Sequence, residues 1–160
     1  MSLPAQLFDG AHAAKCELAQ EVIRDSGSLR LQVNGWSMLP AVRPGDTLTV
    51  ESVEIRALVE GDIVLFSQDR RLFAHRIVAK GSAADRGLVT QGDAMPVADP
   101  PVDEGRVLGR VAFIHRDGRC FEPARGLRLS ERAVAALVRS SRFAARVVVG
   151  VHGMRRKLSN

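Results

Sequence analysis

The 160-residue chain reads as mainly β: an antiparallel β-domain with a helix before it and a helix after it. Three observations predict this class. Short runs between residues 29 and 115 alternate apolar and polar side chains with period two, as half-buried strands do. Gly, Asp and Pro punctuate those runs, which suits turns between many short strands rather than a parallel α/β sheet. The flanking segments instead repeat their apolar residues at helical spacing.

Taken in order, residues 11–25 are rich in helix formers. Cys16, Ala19, Val22 and Ile23 fall in helical phase, and Ser26-Gly27-Ser28 ends the run. Strands are then expected at Leu29–Val33, which alternates as Leu-Arg-Leu-Gln-Val, and at Thr47–Val53. Ile63–Phe66 is a compact apolar run after Glu60-Gly61-Asp62, and Leu72–Ala79 follows a polar turn at residues 68–71. Leu88–Gln91 and Val107–His115 complete the set. From Ser130, a plausible N-cap, to about Val149 the phase is helical again. There Arg132, Arg139, Arg142 and Arg146 fall within roughly one quadrant, opposite Val134, Leu137, Val138, Ala144, Val148 and Val151. The expected organisation is a helical segment over 1–28, a β-domain over 29–123 and a basic amphipathic helix with a tail over 124–160.

Length and composition bound the rest. A chain of this size forms one domain with a respectable core, and 46% hydrophobic with 26% charged residues is ordinary for a globular protein. Cys16 and Cys120 have no C-x-x-C spacing, so no zinc site, redox motif or disulfide framework is expected, and a reducing, cytoplasmic compartment is. His12, His75, His115 and His152 show no paired ligand spacing, so neither a metal nor another cofactor is expected. The N-terminus lacks a signal peptide's basic start and apolar run, and no stretch approaches the ~20 apolar residues of a membrane span. Charge is uneven: residues 124–160 hold nine Lys/Arg against Glu131 alone, a net +8, which leaves −3 on residues 1–123 of a chain whose total is +5. The basic helix is suited either to lie on anionic lipid as a peripheral contact or to pack its apolar side on the β-domain with its arginines in solvent. Aromatic stacking groups are nearly absent from it, so nucleic acid is not an expected partner.

The residues that carry chemistry lie in four short boxes. Gly35-Trp36-Ser37-Met38-Leu39-Pro40 offers one small hydroxyl ahead of Arg43-Pro44-Gly45-Asp46. Glu60-Gly61-Asp62-Ile63-Val64 leads into a strand. His75 follows Ser37 by 38 residues in Ala74-His75-Arg76-Ile77-Val78, and Thr90-Gln91-Gly92-Asp93 runs on through Asp99 to Gly109-Arg110-Val111. A serine hydroxyl is a poor nucleophile near neutral pH and needs a neighbouring base. Histidine can take its proton and later return it to a leaving amine, and a carboxylate on the other ring nitrogen would fix the tautomer.

In these boxes the chain resembles the type I signal peptidases and their relatives, the S24/S26 serine peptidases, over roughly residues 30–115. Ser37-Met38-Leu39-Pro40 is similar to their Ser-x-Met-x-Pro-type box in a tighter form, and His75 occupies the slot where bacterial members carry a lysine base. Members resembling the endoplasmic-reticulum type carry histidine there. The resemblance implies a signal-peptidase/LexA-like β-domain and endopeptidase cleavage of an extended peptide or protein precursor with small side chains near the scissile bond. It implies Ser37 as nucleophile, His75 as base and Asp99 as the better orienter, with Asp93 as supporting contact or partner. Trp36, Met38 and Pro40 are expected to line the substrate, although Met38 reads equally as core. Trp36 makes the rim bulkier than in relatives, which usually have a small residue there. Where some relatives supply an oxyanion donor from a serine hydroxyl, this chain has Gly35, so the backbone N–H of Ser37 is the natural first donor. Arg76 reads as a residue solvating its strand face, and His12, His115 and His152 as surface residues. The alternatives are a catalytically silent module that binds peptides or a partner protein on the same fold, and a self-cleaving regulator, for which the ~28 residues before the β-domain are too few to form a helix-turn-helix unit.

Overall fold

A computed structural model describes residues 3–81, 87–127 and 132–136. Helix α1 spans Leu3–Ser26 and is followed by strands β1 (Ser28–Gln32), β2 (Thr47–Glu51), β3 (Ile63–Gln68), β4 (Arg71–Lys80), β5 (Gly87–Gln91), β6 (Val102–Asp103), β7 (Val107–Arg116) and β8 (Arg119–Phe121). Single 3₁₀ turns at Ile55–Ala57 and Glu104–Arg106 join strands. The strands form one antiparallel sheet in the order β1-β2-β7-β3-β4-β5-β6, with β8 paired to β7. The fold is the mainly antiparallel one that the alternating runs predict.

Helix α1 begins eight residues earlier than the spacing predicts. Pro4 falls in its first turn, where a missing N–H is harmless. It stops where expected, because Gly27 adopts a left-handed φ of 71° and returns its N–H to the Ile23 carbonyl. Strands β6 and β8 are too short to show any period in sequence.

The apolar run of β3 explains the position of the core. Its residues 63–66 are buried on both sides, and alternation sends them to two clusters. Ile63 and Leu65 join Val50, Leu48, Val111, Ile114, Met38, Val42 and the α1 residue Ile23. Val64 and Phe66 join Leu58, Ile77, Leu88 and Val102. Helix α1 packs on β1, β4 and β7 and covers the first cluster. Both cysteines are free, and burial together with the neighbouring Glu17 pushes the Cys16 thiol upward from its ordinary pKa. Of the basic helix expected from Ser130, residues 132–136 are helical, with Val134 packed on Leu39 and Ala94. Its N-cap and Arg139, Arg142 and Arg146 lie outside the described residues. Among the described residues no helix is long and apolar enough to cross a membrane.

Candidate active site

Ser37 sits in the excursion between β1 and β2, and that loop is tied down at three places. At its base Val33 donates its N–H to the Asp46 carbonyl (2.8 Å) and Gly45 to the Val33 carbonyl (2.7 Å). Gly45 has a φ of 91°, so the Pro44-Gly45 turn needs a residue free of a Cβ. At its side, buried Asp46 accepts from the Arg43 N–H and from two nitrogens of Arg116, which also donates to the Ala41 carbonyl. At its rear, the Ala94 N–H donates to the Ser37 carbonyl at 2.8 Å. Gly92 presses closely there: a Cβ on it would lie 2.6 Å from the Ser37 carbonyl oxygen and 3.1 Å from the Ser37 Cβ.

His75 reaches the serine because of strand parity. On β4, Phe73, His75 and Ile77 point to one face and Ala74 and Arg76 to the other. His75 as a residue is 4% exposed, and its ring is walled by Phe66 and Phe73, with centroids 5.9 and 5.8 Å away. Its Nδ1 lies 2.6 Å from Asp99 Oδ2, and its Nε2 lies 2.9 Å from Ser37 Oγ. A carboxylate only accepts, so Nδ1 carries the proton, Nε2 is the acceptor and the serine hydroxyl donates to it. This is the hydrogen-bond order that general-base activation of a hydroxyl requires.

A family model, Peptidase S24-like, matches residues 5–112, about two thirds of the chain. The chain belongs to the Peptidase S24-like family. No curated protein matches it. The S24-like match ends inside β7, so the turn into β8 and everything after it lie beyond the matched segment.

The other residues singled out from sequence in this S24-like domain divide into two groups. Asp93 does not meet the imidazole. It forms a buried two-point pair with Arg76, Nε to Oδ1 and Nη2 to Oδ2, both 2.8 Å. Arg76 therefore does not solvate a strand face: it is 7% exposed, and its Nη1 also donates to the Gly61 and Ala124 carbonyls. The parity that aims His75 at Ser37 aims the next side chain away from it. Met38 is a core residue, 3% exposed and packed with Val42 and Ile63, so its side chain does not face a substrate. Trp36 is 42% exposed beside Ser37, and Pro40 is half-buried after a cis Leu39–Pro40 bond. His115 is half-buried on β7, with its Nε2 2.8 Å from Thr49 Oγ1, rather than a free surface residue. His152 lies outside the described residues.

Sequence reasoning missed Thr90 and Arg116. Thr90 is fully buried, and its hydroxyl donates to Asp99 Oδ2 at 2.7 Å. Its place in the Thr-Gln-Gly-Asp box was the one available signal. Arg116 had none, since its partner Asp46 is 70 residues away in sequence. Among the described residues no group of His, Cys, Asp and Glu could hold a metal ion.

Proposed function

We propose that the chain is a serine endopeptidase of the signal-peptidase-like S24/S26 type, cleaving a peptide or protein precursor by acyl transfer. The observation that carries this reading is the unbroken line from Ser37 Oγ through His75 to Asp99, with contacts of 2.9 and 2.6 Å. Ser37 attacks the scissile carbonyl as its proton passes to His75 Nε2. The imidazolium, stabilised by Asp99, then protonates the leaving amine. Water attacks the acyl-enzyme with His75 again as base, and Ser37 is released. The Ser37 backbone N–H is the first donor to the oxyanion.

The sheet also supports an extended substrate. Strand β5 pairs with β4 only from Arg76 onward, so among the described residues no strand covers that side of β4 from Arg71 to His75. A peptide laid on this edge runs directly to the imidazole, gaining main-chain hydrogen bonds whatever its sequence. Asn34, Gly35 and Trp36, which precede Ser37, are exposed. A silent binding module has no need of three polar side chains held in this order, two of them largely withdrawn from water.

Ser37→Ala should abolish cleavage of a peptide library, read by mass spectrometry, while circular dichroism stays that of the parent. It should also abolish labelling by a fluorophosphonate. Retained cleavage in that variant excludes the mechanism. Only an imidazole in this position can accept the serine proton, so His75→Ala should abolish cleavage and fluorophosphonate labelling with circular dichroism unchanged, and full activity in that variant would exclude His75 as base.

A further inference from the structure

We infer that Thr90 is a fourth member of the catalytic line, a positioning residue that holds Asp99 against solvent so that the carboxylate can orient His75. The inference rests on the serine-peptidase reading and goes beyond its three residues.

The Asp99 side chain is 21% exposed, whereas that of His75 is 5% exposed. One hydrogen bond to the imidazole leaves the carboxylate able to turn about its Cβ–Cγ bond, and water at its open side competes for the same oxygen. Thr90 removes that freedom with two links. Its hydroxyl donates to the very oxygen that accepts from His75 Nδ1, at 2.7 Å. Its carbonyl accepts the Asp99 N–H at 2.8 Å. Backbone and side chain of one aspartate are thus gripped by one residue.

Thr90 is well suited to hold still. It lies on β5 opposite Ile77 of β4, two residues beyond His75, so base and holder share one strand pair. It is fully buried, and β-branching limits its χ1. Oδ2 accepts two donors in different directions, which sets the plane of the carboxylate as well as its distance. Geometry of this kind is what a preorganised site draws from the residues behind it. Thr90 itself touches no reacting atom.

The test compares Thr90→Val, which keeps the branched shape and deletes the hydroxyl, with Thr90→Ser, which keeps the hydroxyl and deletes the methyl. Losing a hydrogen bond to a charged group should lower kcat about tenfold in Thr90→Val with KM unchanged. The proton NMR resonance of the His75 Nδ1–H should be sharp and far downfield in the parent and should broaden or vanish in Thr90→Val as Asp99 swings to water. Thr90→Ser should restore both. Parent-like kcat and resonance in Thr90→Val would overturn the inference. So would a Thr90→Ser chain as impaired as Thr90→Val, since the methyl and not the hydroxyl would then matter. Should the parent neither cleave peptide nor take a fluorophosphonate, the peptidase reading fails by itself, and the resonance comparison still decides whether Thr90 holds Asp99.

Discussion

Two adjacent side chains on β4 divide the chemistry of this molecule. His75 faces Ser37 and Asp99, while Arg76 faces Asp93 and two carbonyls. Asp93 and Asp99 stand six residues apart in one polar segment, and nothing in their spacing says which of them meets the imidazole. Parity and the loop path decide it. Because Arg76 and Asp93 are both almost wholly buried, removing one leaves the other charged and unpaired. Arg76→Ala should therefore lower unfolding free energy by about 3–5 kcal/mol in a urea titration. A change below about 1 kcal/mol would mean that the pair is not desolvated as described.

At the scale of elements, the Ser37 loop is defined by what presses on it. The four boxes were visible as boxes, yet their shared purpose is a contact between them: Ala94 of the last one bonds the carbonyl of Ser37 in the first. Gly92 is required there by space, since the neighbours of an added Cβ would be the Ser37 backbone and Met95 Cγ at 2.8 Å. Gly92→Ala should push the serine loop outward and reduce kcat/KM by about 100-fold or more, because displacing a reacting atom by an ångström is enough. Circular dichroism should stay near the parent. Full activity in that variant would show that the loop can retreat without moving Ser37 Oγ. Element ends were less legible than element kinds. The first turns of α1 contain Pro4 and Gly10, two poor helix formers, and β6 and β8 are only two and three residues long.

For the whole molecule, the segment that follows the family match packs on both β4 and the Ser37 loop. The Ala124 carbonyl accepts from Arg76. Val134 packs on Leu39 and Ala94, and Ala135 is fully buried. A chain ending at Leu127 uncovers Leu39 and Ala94, which should cost about 1–3 kcal/mol of apolar burial and a few degrees of Tm. On the peptidase reading proposed above, its cleavage rate should fall with it, because Leu39 lies two residues from Ser37. An unchanged Tm by calorimetry would show that residues 132–136 add nothing to the core.

Fold class, strand order along the chain, the serine, the histidine and the boxes around them were legible in the amino acids alone, because alternation, turn residues and motif spacing are properties of neighbours in sequence. The family resemblance already favoured Asp99 over Asp93 as the orienter and allowed Met38 as core; tertiary structure alone decided that Asp93 takes Arg76 and that Thr90 and Arg116 support the site. Each of those facts is a contact between residues 9 to 70 positions apart or a choice between two faces of a strand. Such choices depend on how the sheet closes, and no local pattern of residues encodes them.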